Sequence, residues 1–137
     1  MNTKSDIIHL CVTSHPENLK RIRSAISEAM ECTKISRKES DRIVLAVDEA
    51  CSNIIKHCCG QDRTRKIDLT IEACTEELVI SIIDNGARFD ISRIQSRDIN
   101  EIKPGGLGIH IIRQVMDCVE YSHTPEGLNM VRLTKKF

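Results

Sequence analysis

Between Ile43 and Cys58 apolar residues recur every three or four positions, whereas from Ile67 to Ala73 they alternate with polar ones. The first pattern is Ile43, Val47, Ala50, Cys51, Ile54 and Cys58, which fits a helix of about 3.6 residues per turn with one apolar stripe. The second, Ile67, Leu69, Ile71 and Ala73, is a strand with one apolar face. Leaving either apolar surface in water costs free energy, so helix and sheet must cover each other. What fills the interface is constrained too. The chain holds two Phe, one Tyr and no Trp, so its core is aliphatic.

The remaining segments extend this plan. Residues 6–13 read as a strand, with Ile8, Leu10 and Val12 alternating against polar or small neighbours. Ser14-His15-Pro16-Glu17 is a helix start, with Ser14 as the cap, Pro16 in the first turn and Glu17 three residues after the cap. The helix that follows carries Leu19, Ile22, Ile26, Ala29 and Met30 to about Cys32. The long helix begins near Ser36 or Ser40 and stops at Gly60. Glu76 and Glu77 mark a turn, and Leu78 to Asp84 return as an apolar strand, so 67–83 is a hairpin.

Residues 85–104 keep no period and contain Gly86 and Pro104. A loop that long in a compact domain usually has a function. Gly105-Gly106-Leu107-Gly108 then leads into a helix carrying Ile109, Ile112, Val115 and Met116, and 118–123 and 128–134 are closing strands. The order β-α-α-β-β-loop-α-β-β predicts an α+β fold. It is a two-layer α/β sandwich whose largely antiparallel, mixed sheet carries helices on one face. No repeat or linker divides the sequence, so 1–137 is expected to be a single domain.

Charge and composition exclude several functions. Lys and Arg together number 20, as do Asp and Glu, so no global field favours nucleic acid or an anionic membrane. Stacking of single-stranded bases needs aromatic faces, which this chain hardly has. No apolar run approaches the roughly 18 residues of a membrane-spanning helix, and residues 1–6 lack a signal peptide's apolar stretch. The seven cysteines include no C-x-x-C pair; Cys58 and Cys59 beside His57 invite a metal reading, but structural zinc draws on spaced pairs. Reduced, buried thiols in a cytoplasmic protein are the expectation.

Three groupings carry chemistry. On the long helix, Glu49, Asn53 and His57 recur every four residues along one stripe, away from the Ile43–Val47–Ile54 face. A carboxylate one turn from a carboxamide suits Mg²⁺, a hard cation that takes oxygen ligands, or places Glu49 as a general base; the spacing alone also fits a solvated helix face. At the end of an apolar strand, Asp84-Asn85-Gly86 offers an acceptor for an exocyclic amine beside a residue that lets a ligand approach the backbone, or else forms a turn. Gly105-Gly106-Leu107-Gly108 exposes backbone N–H groups at a helix start, a ready anion site, or simply connects and caps. It is neither a P-loop nor a dinucleotide fingerprint. Taken in order, the three describe a Mg²⁺–ATP pocket between helices and sheet.

Here the sequence resembles the GHKL (Bergerat-fold) ATPases. Glu49-Ala50-Cys51-Ser52-Asn53-Ile54-Ile55-Lys56-His57 is similar to their N-box, Asp84-Asn85-Gly86 to their first glycine box and Gly105-Gly106-Leu107-Gly108 to their second. Size and wording look closest to the anti-sigma factor serine/threonine kinases of the partner-switching branch. The resemblance implies Glu49 as general base, Asn53 as Mg²⁺ ligand, and Asp84 on the adenine amine with Gly86 giving the base room. It implies Gly106, Leu107 and Gly108 on phosphates. Residues 87–104 would be the ATP lid, with Arg88, Arg93, Arg97 and Lys103 the candidates for a phosphate contact. Where the family often carries Gly-Thr-Thr-Val near adenine, this chain reads Gly127-Leu128-Asn129-Met130-Val131; Asn129 can still hydrogen-bond there, whereas Met130 offers only packing, so nucleotide affinity or base selectivity is expected to differ from the family's habit.

By the same resemblance the protein would bind a sigma factor, phosphorylate a Ser or Thr on a STAS-type anti-anti-sigma partner, and form a homodimer, with no nucleic acid or membrane contact. The alternatives are an ATP-binding module that sequesters partners without phosphotransfer, and a detached histidine-kinase catalytic domain.

Overall fold

Strands β1 (Asp6–Thr13), β2 (Lys66–Ala73), β3 (Glu77–Asp84), β4 (Cys118–His123) and β5 (Asn129–Lys136) pair into one sheet in the order β1-β2-β3-β5-β4. The computed structural model describes residues 6–31, 33–92 and 107–137. All four pairings are antiparallel, so the sheet is not mixed. Among the described residues three helices, α1 (Leu19–Met30), α2 (Arg37–Asn53) and α3 (Leu107–Val115), complete the α+β sandwich. No described helix is long and apolar enough to cross a membrane.

Period-two patterning sets the register. Ile71 faces Ile80 and Ile82 faces Val131 across the ladders, so the buried apolar residues of β2, β3 and β5 fall on one side, while Val79, Ile83 and Met130 lie on the other. On the buried side Ile67, Leu69, Ile71, Leu78, Ile80, Ile82 and Leu133 are fully buried against Ile22 and Ile26 of α1 and Ile43 and Val47 of α2. The other side is half-exposed, with Thr70, Ser81 and Thr134 among its residues. An aliphatic core of this kind contributes through buried area, at about 25 cal/mol per Å².

The caps follow the sequence at one helix and depart from it at the other. Ser36 Oγ accepts the Glu39 N–H at 3.2 Å and starts α2, one of the two expected positions. Ser14 is not a cap. Its hydroxyl is buried and donates to the Asp62 carbonyl at 2.6 Å, while its own N–H donates to the Arg65 carbonyl at 2.8 Å. The cap is instead His15, whose Nδ1 accepts the Glu17 N–H at 3.1 Å and opens a 3₁₀ turn, Pro16–Asn18, ahead of α1. Ser14 is claimed by the chain crossing behind it, so capping passes to its neighbour.

Candidate functional site

Helix α2 does not end in an α-helical turn. Residues Ile54–Cys58 are π-helical, with the Cys59 N–H donating to the Ile54 carbonyl at 3.0 Å, and Gly60 at φ 59° turns the chain away. Such insertions are frequent at functional sites. Here the wide turn leaves the Cys58 carbonyl free to accept the Ala87 N–H at 2.5 Å, tying the end of the α2 unit to the residues that follow β3.

That contact sets the requirement at Gly86. A Cβ built there would stand 2.5 Å from the Cys58 oxygen, 2.7 Å from its carbon and 3.0 Å from Asp84 Oδ1. Its φ is not positive, so glycine is needed for space rather than for conformation. Nor is Asp84-Asn85-Gly86 a tight hairpin turn. Asn85 extends the pairing with β2, its Oδ1 accepting the Lys66 N–H at 2.8 Å.

Asp84 closes β3 opposite Asn129, the first residue of β5, and each is only 1% exposed. Asp84 Oδ1 accepts the Gly86 N–H at 2.9 Å and the Asn129 Nδ2 at 3.0 Å. Asp84 Oδ2 is buried with no partner among the described residues. A buried acceptor left unpaired costs free energy that a ligand's N–H would recover, so the residue fits the exocyclic amine expected of it. Burial pushes the Asp84 carboxyl above its ordinary value, against the two hydrogen bonds that lower it. The same burial pushes the Cys51 and Cys58 thiols up to about 12, with the nearby Asp84 charge adding to both.

Glu49 and Asn53 lie one turn apart near the end of α2, both half-buried, and neither side chain makes a hydrogen bond among the described residues. An uncommitted carboxylate and carboxamide at a rim suit Mg²⁺, which is held by one or two protein oxygens and keeps waters. His57, one further step along, is exposed on the π turn. Among the described residues no three His, Cys, Asp or Glu are grouped to hold a metal ion. Leu107 and Gly108 form the first turn of α3, which packs against α2. The first N–H groups of a helix have no partner within it and point at any anion placed there. Gly105, Gly106, Arg93, Arg97 and Lys103 lie outside the described residues.

One cluster escaped the sequence reading. Two of the three aromatic residues meet beside Asn129: Phe89 and Tyr121 pack edge to face at 5.9 Å, and the His123 ring lies 5.0 Å from that of Phe89. The Phe89 N–H donates to Asn129 Oδ1 at 3.0 Å, His123 Nε2 lies 3.1 Å from the Phe89 carbonyl, and Arg88 lies 3.3 Å from His123 Nδ1. A carbonyl beside one ring nitrogen and a guanidinium beside the other suit Nε2 as the donor and Nδ1 as the acceptor. Arg88 is thus engaged with β4. The available signal was Phe89, the one aromatic residue between 85 and 104.

The model of the histidine kinase-like ATPase domain matches residues 12–135. The serine-protein kinase RsbW of Bacillus subtilis (strain 168) is 25% identical over 127 residues, covering 87% of this chain and 79% of that protein. The serine/threonine-protein kinase BtrW of Bordetella bronchiseptica is 31% identical over 96 residues, 67% of each chain. Among solved structures, the RsbU and RsbW domains of a Mycobacterium tuberculosis protein superpose with a TM-score of 0.68 at 15% identity. That match covers 95% of this chain, which spans 32% of the longer one, and it speaks to the fold alone. With the family model running from Val12 to Lys135 and the fold in agreement, the chain belongs to the histidine kinase-like ATPase domain family, among relatives named serine-protein kinases.

Proposed function

We propose that this protein is an ATP-dependent serine/threonine kinase that acts as an anti-sigma factor in the cytoplasm. It would bind a sigma factor, phosphorylate a STAS-type anti-anti-sigma partner, and work as a homodimer. The observation that carries the nucleotide part is the unpartnered Asp84 Oδ2 at a strand end, an acceptor awaiting an amine. The protein partners rest on the relatives named RsbW and on the resemblance of the three boxes.

In this reading Asp84 accepts the adenine amine, and Gly86 keeps the turn beside it close to the Cys58 carbonyl. Backbone N–H groups of Gly106, Leu107 and Gly108 hold phosphates at the start of α3. Asn53 holds Mg²⁺, which when bound neutralises phosphate charge. Glu49 acts as general base on the acceptor hydroxyl. The hydroxyl oxygen bonds to the γ-phosphorus, the bond to the bridging oxygen breaks to release ADP, and the hydroxyl proton passes to the Glu49 carboxylate. Positioning and charge neutralisation supply most of such a rate.

The test is phosphotransfer from Mg²⁺–ATP to a STAS-domain protein, read by intact mass, with wild type beside Glu49→Gln and Asp84→Asn. Glu49→Gln is expected to slow transfer about 100-fold or more while ATP still binds. Asp84→Asn is expected to lose ATP affinity. Wild type that binds ATP and partner but transfers nothing would instead make the protein a sequestering module.

A further inference from the structure

Asn129 stands where the base would be read, yet every hydrogen bond its side chain makes stays inside the protein. Nδ2 donates to Asp84 Oδ1 at 3.0 Å and to the Ala87 carbonyl at 2.8 Å, and Oδ1 accepts the Phe89 N–H at 3.0 Å. Both of its donors are spent. The amide has one workable orientation, because a flip would set its oxygen against two acceptors and its NH₂ against an N–H. By claiming Asp84 Oδ1 together with the Gly86 N–H, it leaves Oδ2 as the carboxylate's open acceptor.

We propose that Asn129 is the positioning residue of the base pocket, coupling the Asp84 carboxylate to residues 87–89, so that one side chain sets base selectivity and anchors the loop root. The inference rests on the nucleotide reading above and adds to it a division of labour. Asp84 meets the base, and Asn129 acts through Asp84. An acceptor fixed at Oδ2 pairs with a 6-amino purine and opposes a 6-oxo purine, whose oxygen would face it. The titratable groups near this carboxylate on the α2 side are the thiols of Cys51, Cys58 and Cys59, all pushed up by burial and so uncharged at neutral pH. Asn129 is the side chain that faces it from β5.

The experiment uses the full chain, with Asn129→Ala and Asn129→Asp checked for folding by circular dichroism. Asn129→Asp keeps an acceptor for Phe89 but sets a second carboxylate against Asp84 Oδ1. In nucleotide-free protein, the Asp84 side-chain carbon signal is titrated by NMR and exchange of the Phe89 amide is followed. Both variants are expected to move the Asp84 midpoint to higher pH, Asn129→Asp the further. Phe89 exchange is expected to accelerate about ten-fold or more in Asn129→Ala. With nucleotide, the ratio of inosine triphosphate Kd to ATP Kd is expected to fall about ten-fold in Asn129→Ala. An Asp84 midpoint or a Phe89 exchange rate that stays at its wild-type value overturns the coupling. A wild type blind to the purine overturns the selectivity and the nucleotide reading with it, while leaving the two NMR results to stand by themselves.

Discussion

The carbonyl oxygen of Cys58 fills the space that a side chain on Gly86 would need. The two residues come from different layers, one from the π turn after α2 and the other from the turn after β3, and the Ala87 N–H on the same oxygen holds them together.

Gly86→Ala is therefore expected to destabilise the protein by about 1–3 kcal/mol, because the atoms in the way are backbone and cannot rotate aside. Gly60→Ala is the comparison. Its φ of 59° is strained for alanine, but nothing lies within 4 Å of the new Cβ, so the cost is about 1 kcal/mol. Denaturant unfolding of both variants tests the order, and equal losses would show that the Cys58 contact does not decide it.

Asp84 gives the nucleotide-free protein a pH dependence with a defined sign. Burial makes the folded carboxyl hold its proton to higher pH than the unfolded one, which titrates near 3.8. The folded state thus binds more protons in the window above that value, and Asp84's contribution to stability declines as pH rises through its folded pKa. Asp84→Asn is expected to remove that decline, flattening the stability profile between the unfolded and folded values. Urea midpoints measured from pH 4 to pH 8 check it; parallel wild-type and variant profiles would contradict it.

Two serines separate local from tertiary roles. Ser36→Ala removes the cap of α2 and is expected to cost about 1 kcal/mol. Ser14→Ala is expected to cost about 1 kcal/mol, since it removes the hydrogen bond that the buried hydroxyl gives to the carbonyl of exposed Asp62. Thermal unfolding of each variant beside wild type checks both, and an unchanged Tm in either would show that its hydrogen bond contributes nothing.

In the core, Ile80→Ala on the central strand is expected to cost about 2–5 kcal/mol. The side chain is fully buried between β2 and β5 and beneath the helices, where the ladder on both sides limits collapse into the gap. A loss under 1 kcal/mol in a denaturant melt would mean that the helix layer settles onto the sheet.

Periodicity carried most of the fold because each element has only one face to bury. Val47 and Ile54 follow from the stripe on α2, and Ile67 through Ala73 from alternation. What periodicity does not encode is which polar group a distant segment will claim. Ser14 looked like a cap because its local pattern is a cap's, and it is captured by Asp62, 48 residues away. The sandwich was legible, but the mixed sheet expected with it is fully antiparallel, since strand direction follows from connections rather than from any one strand.

At the site, Asp84 was legible as an acceptor at a strand end and Asn129 only through the family resemblance; the two meet as the last ladder pair. The π turn was hidden, because a wide turn and an α-helical one share the same apolar spacing over five residues. The bonds of Asn129 to Ala87 and Phe89 were hidden as well, since they depend on backbone atoms that every residue carries.

The scarcity of aromatic residues has an optical consequence. With no Trp to absorb its emission, the single Tyr121 is the dominant ultraviolet fluorophore of the chain, and it packs on the ring of Phe89, whose backbone N–H Asn129 accepts. Changes at this corner of the sheet therefore reach a native reporter, so titrations here can be read from unlabelled protein.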